Sequence, residues 1–215
     1  KSKQYDLHNS VKVSLEWLQF LDFNLRASLA IPIFFTGSYF QNAQGELLTS
    51  YALAKKLAYN RVQKLFPNCI HFNYLLPNPF GIGESKKLLY SLLSHWFSEK
   101  TFPVLQPFLI RDNIPINILA KSYAYAITNY NEYHESESSS VISPSYFPEA
   151  NIDFIERVRC RLKHIFPSIP CSIDLSKASE ESNTIIGSSP IRHKYISQEE
   201  KFWKDYLSMA SSRYT

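Results

Sequence analysis

The stretch Leu29-Ala-Ile-Pro-Ile-Phe-Phe35, followed by Thr36-Gly37-Ser38, decides how the rest of the chain is read. A short continuous apolar run ending in small polar residues predicts a strand buried on both faces, with a loop at its carboxyl end. A polar turn from Gln41 to Glu46 then leads into a helix predicted from Ser50 to Phe66, which Pro67 closes. The unit repeats. Cys69 to Leu76 predicts a second strand, Pro77 to Gly83 its loop, and Glu84 to Ser98 the next helix. Phe108 to Ile116 predicts a short strand or extended segment, and Asn117 to Tyr130 another helix. Strand, loop and helix in alternation predict an α/β fold with a parallel sheet. Functional loops of such sheets lie at the carboxyl ends of the strands, where Thr36 and Pro77 to Gly83 fall.

Ahead of this core, Val11 to Leu25 carries apolar residues at helical spacing. Behind it, Asn131 to Pro144 contains Glu135-Ser-Glu-Ser-Ser-Ser140 and reads as a solvated connection. Pro148 to Phe166 predicts an amphipathic helix, Ser172 to Leu175 a strand, Ser176 to Pro190 an irregular polar stretch, and Ser197 to Met209 a last helix. The expected division is 1–130 for the sheet-bearing part and 131–215 for a smaller α+β part.

The 215 residues are 45% hydrophobic and 20% charged, enough apolar surface for a packed core. A net charge of +4, spread along the chain, gives no footing for nucleic-acid binding. No apolar run is long enough to span a bilayer, and no secretory signal opens the sequence, so a cytoplasmic protein is expected. Cys69, Cys160 and Cys171 form no metal-binding or disulfide pattern. The six histidines are scattered without ligand spacing, so no metal is expected.

The sharpest chemical feature is Tyr51-Ala-Leu-Ala-Lys55. A spacing of four puts the phenol and the ammonium on one helical face. About one such pair is expected by chance from the tyrosine and lysine content, so its placement carries the information. A phenol of pKa ~10 is a poor acid–base group at neutral pH. A lysine ~4 Å away contributes about 1 kcal/mol in water and about 4 at an effective dielectric of ~20, so only a partly buried site shifts it usefully. Thr36 could hydrogen-bond the same substrate oxygen. The plain alternative is an ordinary surface tyrosine and lysine.

In order along the chain, Thr36-Gly-Ser-Tyr-Phe40, Tyr51-x-x-x-Lys55, Pro77-Asn-Pro-Phe-Gly81 and Arg111-Asp-Asn-Ile-Pro-Ile-Asn117 resemble the extended short-chain dehydrogenase/reductases. These are the NAD-dependent epimerase/dehydratase family, most of whose members act on nucleotide-sugars. The resemblance runs from about Asn9 to Ile127. It implies a Rossmann-like sheet, NAD or NADP as cofactor, and hydride exchange with a sugar carbon. By the same resemblance Tyr51 is the catalytic acid/base, Lys55 holds the nicotinamide ribose and lowers the tyrosine's pKa, and Thr36 is the active-site hydroxyl. Pro77 lies beside the nicotinamide, Asn78 contacts substrate, and Arg111 contacts the pyrophosphate, a role suited to a forked guanidinium. Asn9 matches the asparagine that precedes the strand of Thr36. Epimerisation, dehydration and ketone reduction all remain open.

The sequence departs from that pattern at its start. Its five glycines, Gly37, Gly45, Gly81, Gly83 and Gly187, cannot form the GxGxxG turn that seats a dinucleotide pyrophosphate. Roughly the first three strand–helix units are absent, and residue 1 is Lys, so the sequence reads as the remainder of a longer one. Asn117 stands where the family often has aspartate. Two readings follow: the catalytic and substrate-binding part of a nucleotide-sugar enzyme, or a truncated non-catalytic relative that binds a sugar nucleotide or a protein. A sheet without its first strands exposes an edge, which predicts a homodimer or pairing with an N-terminal half. Arg157, Arg159 and Arg161 read as a solvated helix face, and Arg192 as a second candidate for a substrate phosphate.

Overall fold

A computed structural model describes residues 32–42, 49–84, 87–133, 139–182 and 184–214. In chain order its main elements are β1 (Ile33–Ser38), α1 (Ser50–Leu65), β2 (His71–Leu76), β3 (Asn78–Phe80), α2 (Leu88–Phe97), β4 (Ile110–Pro115), α3 (Ile116–Thr128), β5 (Ser139–Ile142), β6 (Pro148–Ala150), α4 (Asn151–Ile165), β7 (Thr184–Ile185) and α5 (Arg192–Tyr214). They fall into two compact units. One takes the chain up to Leu76 together with Tyr123–Pro144, and the other takes Pro77–Ser122 and the chain from Ser145 onward.

The first unit holds a parallel sheet ordered β1-β2-β5. β2 is central and buried along nearly its whole length. β1, expected to be buried on both faces, is half-buried from Ile33 to Thr36, because among the described residues it pairs only with β2. It also runs on through Ser38, so Thr36 lies inside the strand rather than in the loop after it. Phe34 stacks on Phe72 with ring centroids 4.6 Å apart. Thr49 caps α1 by accepting from the Ala52 N–H at 3.2 Å. The helix then buries Ala52, Ala54, Tyr59 and Val62.

The Asn131–Pro144 connection is not wholly solvated. Ser139–Ile142 pairs parallel with β2, burying Ser140 and Ile142 while Val141 faces out. Backbone pairing needs no particular side chain, so a serine-rich stretch can join a sheet edge. The expected helix at Val11 to Leu25, Asn9, and the strand's first residues Leu29 to Ile31 lie outside the described residues.

In the second unit β4 is the hub, parallel to β3 and β7 and antiparallel to β6. Within the expected Pro77–Gly83 loop, Asn78–Phe80 forms β3 and sets Asn78 opposite Asn113. Ser176–Pro190, expected to be irregular, contributes β7. The core packs Phe80 against Phe154, Phe202 and Trp203 with ring centroids 5.3, 5.6 and 5.1 Å away. The last helix begins at Arg192, ahead of the predicted Ser197.

Candidate functional site

Thr36, Tyr51 and Lys55 belong to the first unit. The parallel register sets Thr36 beside Tyr74. Its hydroxyl lies 2.8 Å from the hydroxyl of Tyr123 on α3, whose ring packs on Tyr74 at 4.4 Å. Lys55 reaches from α1 to β1 and donates through Nζ to the Thr36 backbone carbonyl at 3.0 Å. The same ammonium sits 5.7 Å from the centre of the Phe35 ring. Burial pushes the Lys55 pKa below its ordinary value. Tyr51 is half-buried, one helical turn before Lys55. An ammonium has three donors, so Lys55 keeps two beyond the one given to Thr36.

Asn78 and Arg111 belong to the second unit, where they line one cavity of about 270 Å³. Pro77 is buried between β2 and β3. Arg111 donates through Nη1 to the Ile110 carbonyl at 3.0 Å. Asn78 donates through Nδ2 to Asn113 Oδ1 at 2.7 Å. Strand alternation explains the Arg111-Asp-Asn113 block: Arg111 and Asn113 face the cavity, and Asp112 turns the other way. Fully buried, Asp112 accepts backbone N–H groups from Tyr146 at 2.7 Å, Phe147 at 3.0 Å and Gly187 at 3.0 Å. It fixes the loops around β4.

Sequence reasoning missed four groups in or behind these clusters. Tyr123 engages the Thr36 hydroxyl, and no local pattern announces it. Asn113 was legible from the period of two that it shares with Arg111. Glu84 and Lys87 also line the cavity. The Glu84 side chain accepts from the Gly81 N–H at 3.2 Å, and burial pushes its pKa up.

Of the α4 arginines expected on a solvated face, Arg159 and Arg161 pair with the exposed Glu156 and Glu200, whereas Arg157 turns inward. Arg157 is clamped between two buried carboxylates, with Nη2 2.5 Å from Glu149 Oε1 and Nη1 2.9 Å from Glu199 Oε1. Its guanidinium also lies 4.6 Å from the centre of the Phe147 ring. Arg192 stacks on the same ring at 3.9 Å and approaches Glu199 at 3.6 Å, so a carboxylate already faces it. Among the described residues no His, Cys, Asp or Glu cluster could hold a metal ion, and no helix is long and apolar enough to cross a membrane.

No family model matches the sequence, and no curated protein matches it. Solved structures do match. A UDP-N-acetylglucosamine 4-epimerase from Methanobrevibacter ruminantium, in complex with UDP-N-acetylmuramic acid, superposes with a TM-score of 0.59 at 14% identity, over 94% of this chain and 69% of its own. A UDP-glucose 4-epimerase from Thermotoga maritima, with UDP-glucose, gives 0.60 at 12% identity over 94% and 69%. The chain has the fold of these enzymes. It is a Rossmann-like α/β fold, as the resemblance read from the sequence implied. A GalE-like L-threonine dehydrogenase from Cupriavidus necator gives 0.61 at 8% identity, over all of this chain and 74% of its own. That enzyme is named for an amino acid, so the fold by itself does not choose a substrate.

Proposed function

We propose that the chain is part of an NAD(P)-dependent epimerase, dehydratase or reductase of the short-chain dehydrogenase/reductase type, acting on a nucleotide-sugar. One observation carries the reading. Asn78 and Arg111, marked by two separate sequence blocks, line the same cavity in a fold shared with nucleotide-sugar epimerases. In this reading the Arg111 guanidinium forks onto the pyrophosphate and Asn78 meets the substrate. Tyr51 moves the hydroxyl proton, Thr36 orients it, and Lys55 lowers the tyrosine's pKa.

Of the residues that the resemblance assigns to the nicotinamide end of the cofactor, Tyr51 and Lys55 belong to the first unit and Pro77 opens the second. Lys55 fits that role, since two of its donors remain after the bond to Thr36. When bound, the nicotinamide supplies hydride exchange with a sugar carbon. These 215 residues hold no GxGxxG turn for the pyrophosphate. A second reading is a module that binds a sugar nucleotide without turning it over. Pairing with a second copy or with an N-terminal half belongs to the proposal, and light scattering would read it.

The test is conversion of UDP-glucose in the presence of added NAD+, followed by chromatography, for the chain and its Tyr51→Phe variant. Turnover lost in the variant supports the acid/base role. Turnover retained overturns that role, and a parent chain that does not bind UDP-glucose overturns the nucleotide-sugar reading.

A further inference from the structure

Asn78, Asn113 and Glu149 are joined across three strands of the second unit. The register sets Asn78 of β3 opposite Asn113 of β4, and Glu149 of β6 opposite Arg111 of β4. A continuous hydrogen-bond chain links them. Asn78 Nδ2 donates to Asn113 Oδ1 at 2.7 Å, and Asn113 Nδ2 donates to Glu149 Oε1 at 3.2 Å. Asn113 and Glu149 are 1% and 8% exposed, so water cannot substitute for either partner. Arg157 grips both oxygens of Glu149, Nε at 3.1 Å and Nη2 at 2.5 Å.

An ionised carboxylate only accepts hydrogen bonds, whereas a primary amide donates at one end and accepts at the other. Burial pushes the Glu149 pKa up, and the two-point Arg157 fork opposes this by holding both oxygens as acceptors, the geometry of an ionised carboxylate. Glu149 therefore requires the Asn113 amide to turn its nitrogen toward it, which leaves the Asn113 oxygen facing Asn78. Asn78 in turn must offer its nitrogen to Asn113. One buried carboxylate thus fixes two amides that would otherwise be free to flip.

We propose that Glu149 is a positioning residue which, through Asn113, holds Asn78 with its carbonyl oxygen as the end addressed to the cavity. Asn78 then selects a ligand group that donates, a hydroxyl or an amide N–H, and disfavours a phosphate oxygen, which only accepts. Arg111, on the same wall, takes the anionic part. Glu149 itself does not line the cavity and acts only through the chain of amides. The ligand consequence rests on the cavity being the nucleotide-sugar site, whereas the polarity of the chain does not.

Two measurements test this. Asn78→Asp places carboxylates at both ends of Asn113, so its amide can satisfy only one. Adding Glu149→Gln reverses the order, with Gln donating to Asn113 and Asn113 donating to Asp. The double variant should lose clearly less stability in urea than the two single losses summed, and losses that simply add would overturn the proposal. Calorimetric titration with UDP-glucose and with UDP should show Glu149→Gln weakening UDP-glucose about tenfold and leaving UDP unchanged. Equal affinity of Glu149→Gln and the parent chain for UDP-glucose would also overturn it. Were neither compound to bind the parent chain, the nucleotide-sugar reading would fall and the urea comparison would decide the polarity alone.

Discussion

Lys55 Nζ donates to the backbone carbonyl of Thr36 at 3.0 Å, tying the helix of the Tyr-x-x-x-Lys pair to the strand of the candidate hydroxyl. Burial lowers the Lys55 pKa, so the folded chain holds that proton less tightly than the unfolded chain. Between the lowered value and the ordinary 10.5, the unfolded state binds more protons, and stability rises with pH. The penalty is present in full below the folded pKa and is relieved as pH climbs toward the unfolded one.

Urea midpoints measured from about pH 8 to about pH 10 should therefore rise for the parent chain and rise less for Lys55→Met. Equal slopes would contradict the burial argument. Tyr59 contributes to the upper limit of the window, with Tyr146 and Tyr195, because burial pushes its pKa up to about 12 and stability falls above its ordinary value of 10.0. Tyr59→Phe should flatten that alkaline loss.

Arg157 is the only cation shared by Glu149 and Glu199 among the ion pairs of the described residues. Glu199 is 2% exposed and also accepts from the Tyr146 hydroxyl at 3.0 Å. Arg157→Met strands buried charge and should cost about 3–5 kcal/mol in urea denaturation. Arg157→Lys should recover little, because an ammonium cannot fork across two carboxylates. A loss below about 1 kcal/mol would place these groups in solvent.

Gly81 and Gly83 separate conformational strain from crowding. Gly81 has φ +136°, and a methyl group there would meet Ile116 Cγ2 at 2.9 Å and the Phe202 ring at 3.2 Å. Gly83 has φ +86° with nothing within 4 Å of an added methyl group. Gly83→Ala should cost about 1 kcal/mol from backbone strain alone. Gly81→Ala should cost about 2–4 kcal/mol, since core contacts add to the strain. Equal losses would mean that the Phe202 side yields freely.

The alternating architecture was legible because apolar runs and helical spacing report burial directly. Ser50 to Phe66 emerged within one residue at its end, as Ser50–Leu65. Ser139–Ile142 was not legible, since its place in the sheet rests on backbone bonds to β2 and not on side-chain pattern. The four ordered blocks named Thr36, Tyr51, Lys55, Asn78 and Arg111 as candidates, because residue types at set spacing can be read from one sequence. Tyr123 and Glu149 stayed hidden. Their partners, Thr36 and Asn113, are far along the chain and meet them only through folding. Arg157 misled because helical spacing gives a face but does not say which carboxylates oppose it.

The most direct test of the central claim is calorimetric titration of UDP-glucose into the 215-residue chain and its Arg111→Met variant. Saturable binding that weakens at least tenfold in the variant is the predicted result, since the guanidinium is assigned to the pyrophosphate. No binding at millimolar UDP-glucose, or equal binding by both proteins, would contradict the assignment of this cavity to a nucleotide-sugar.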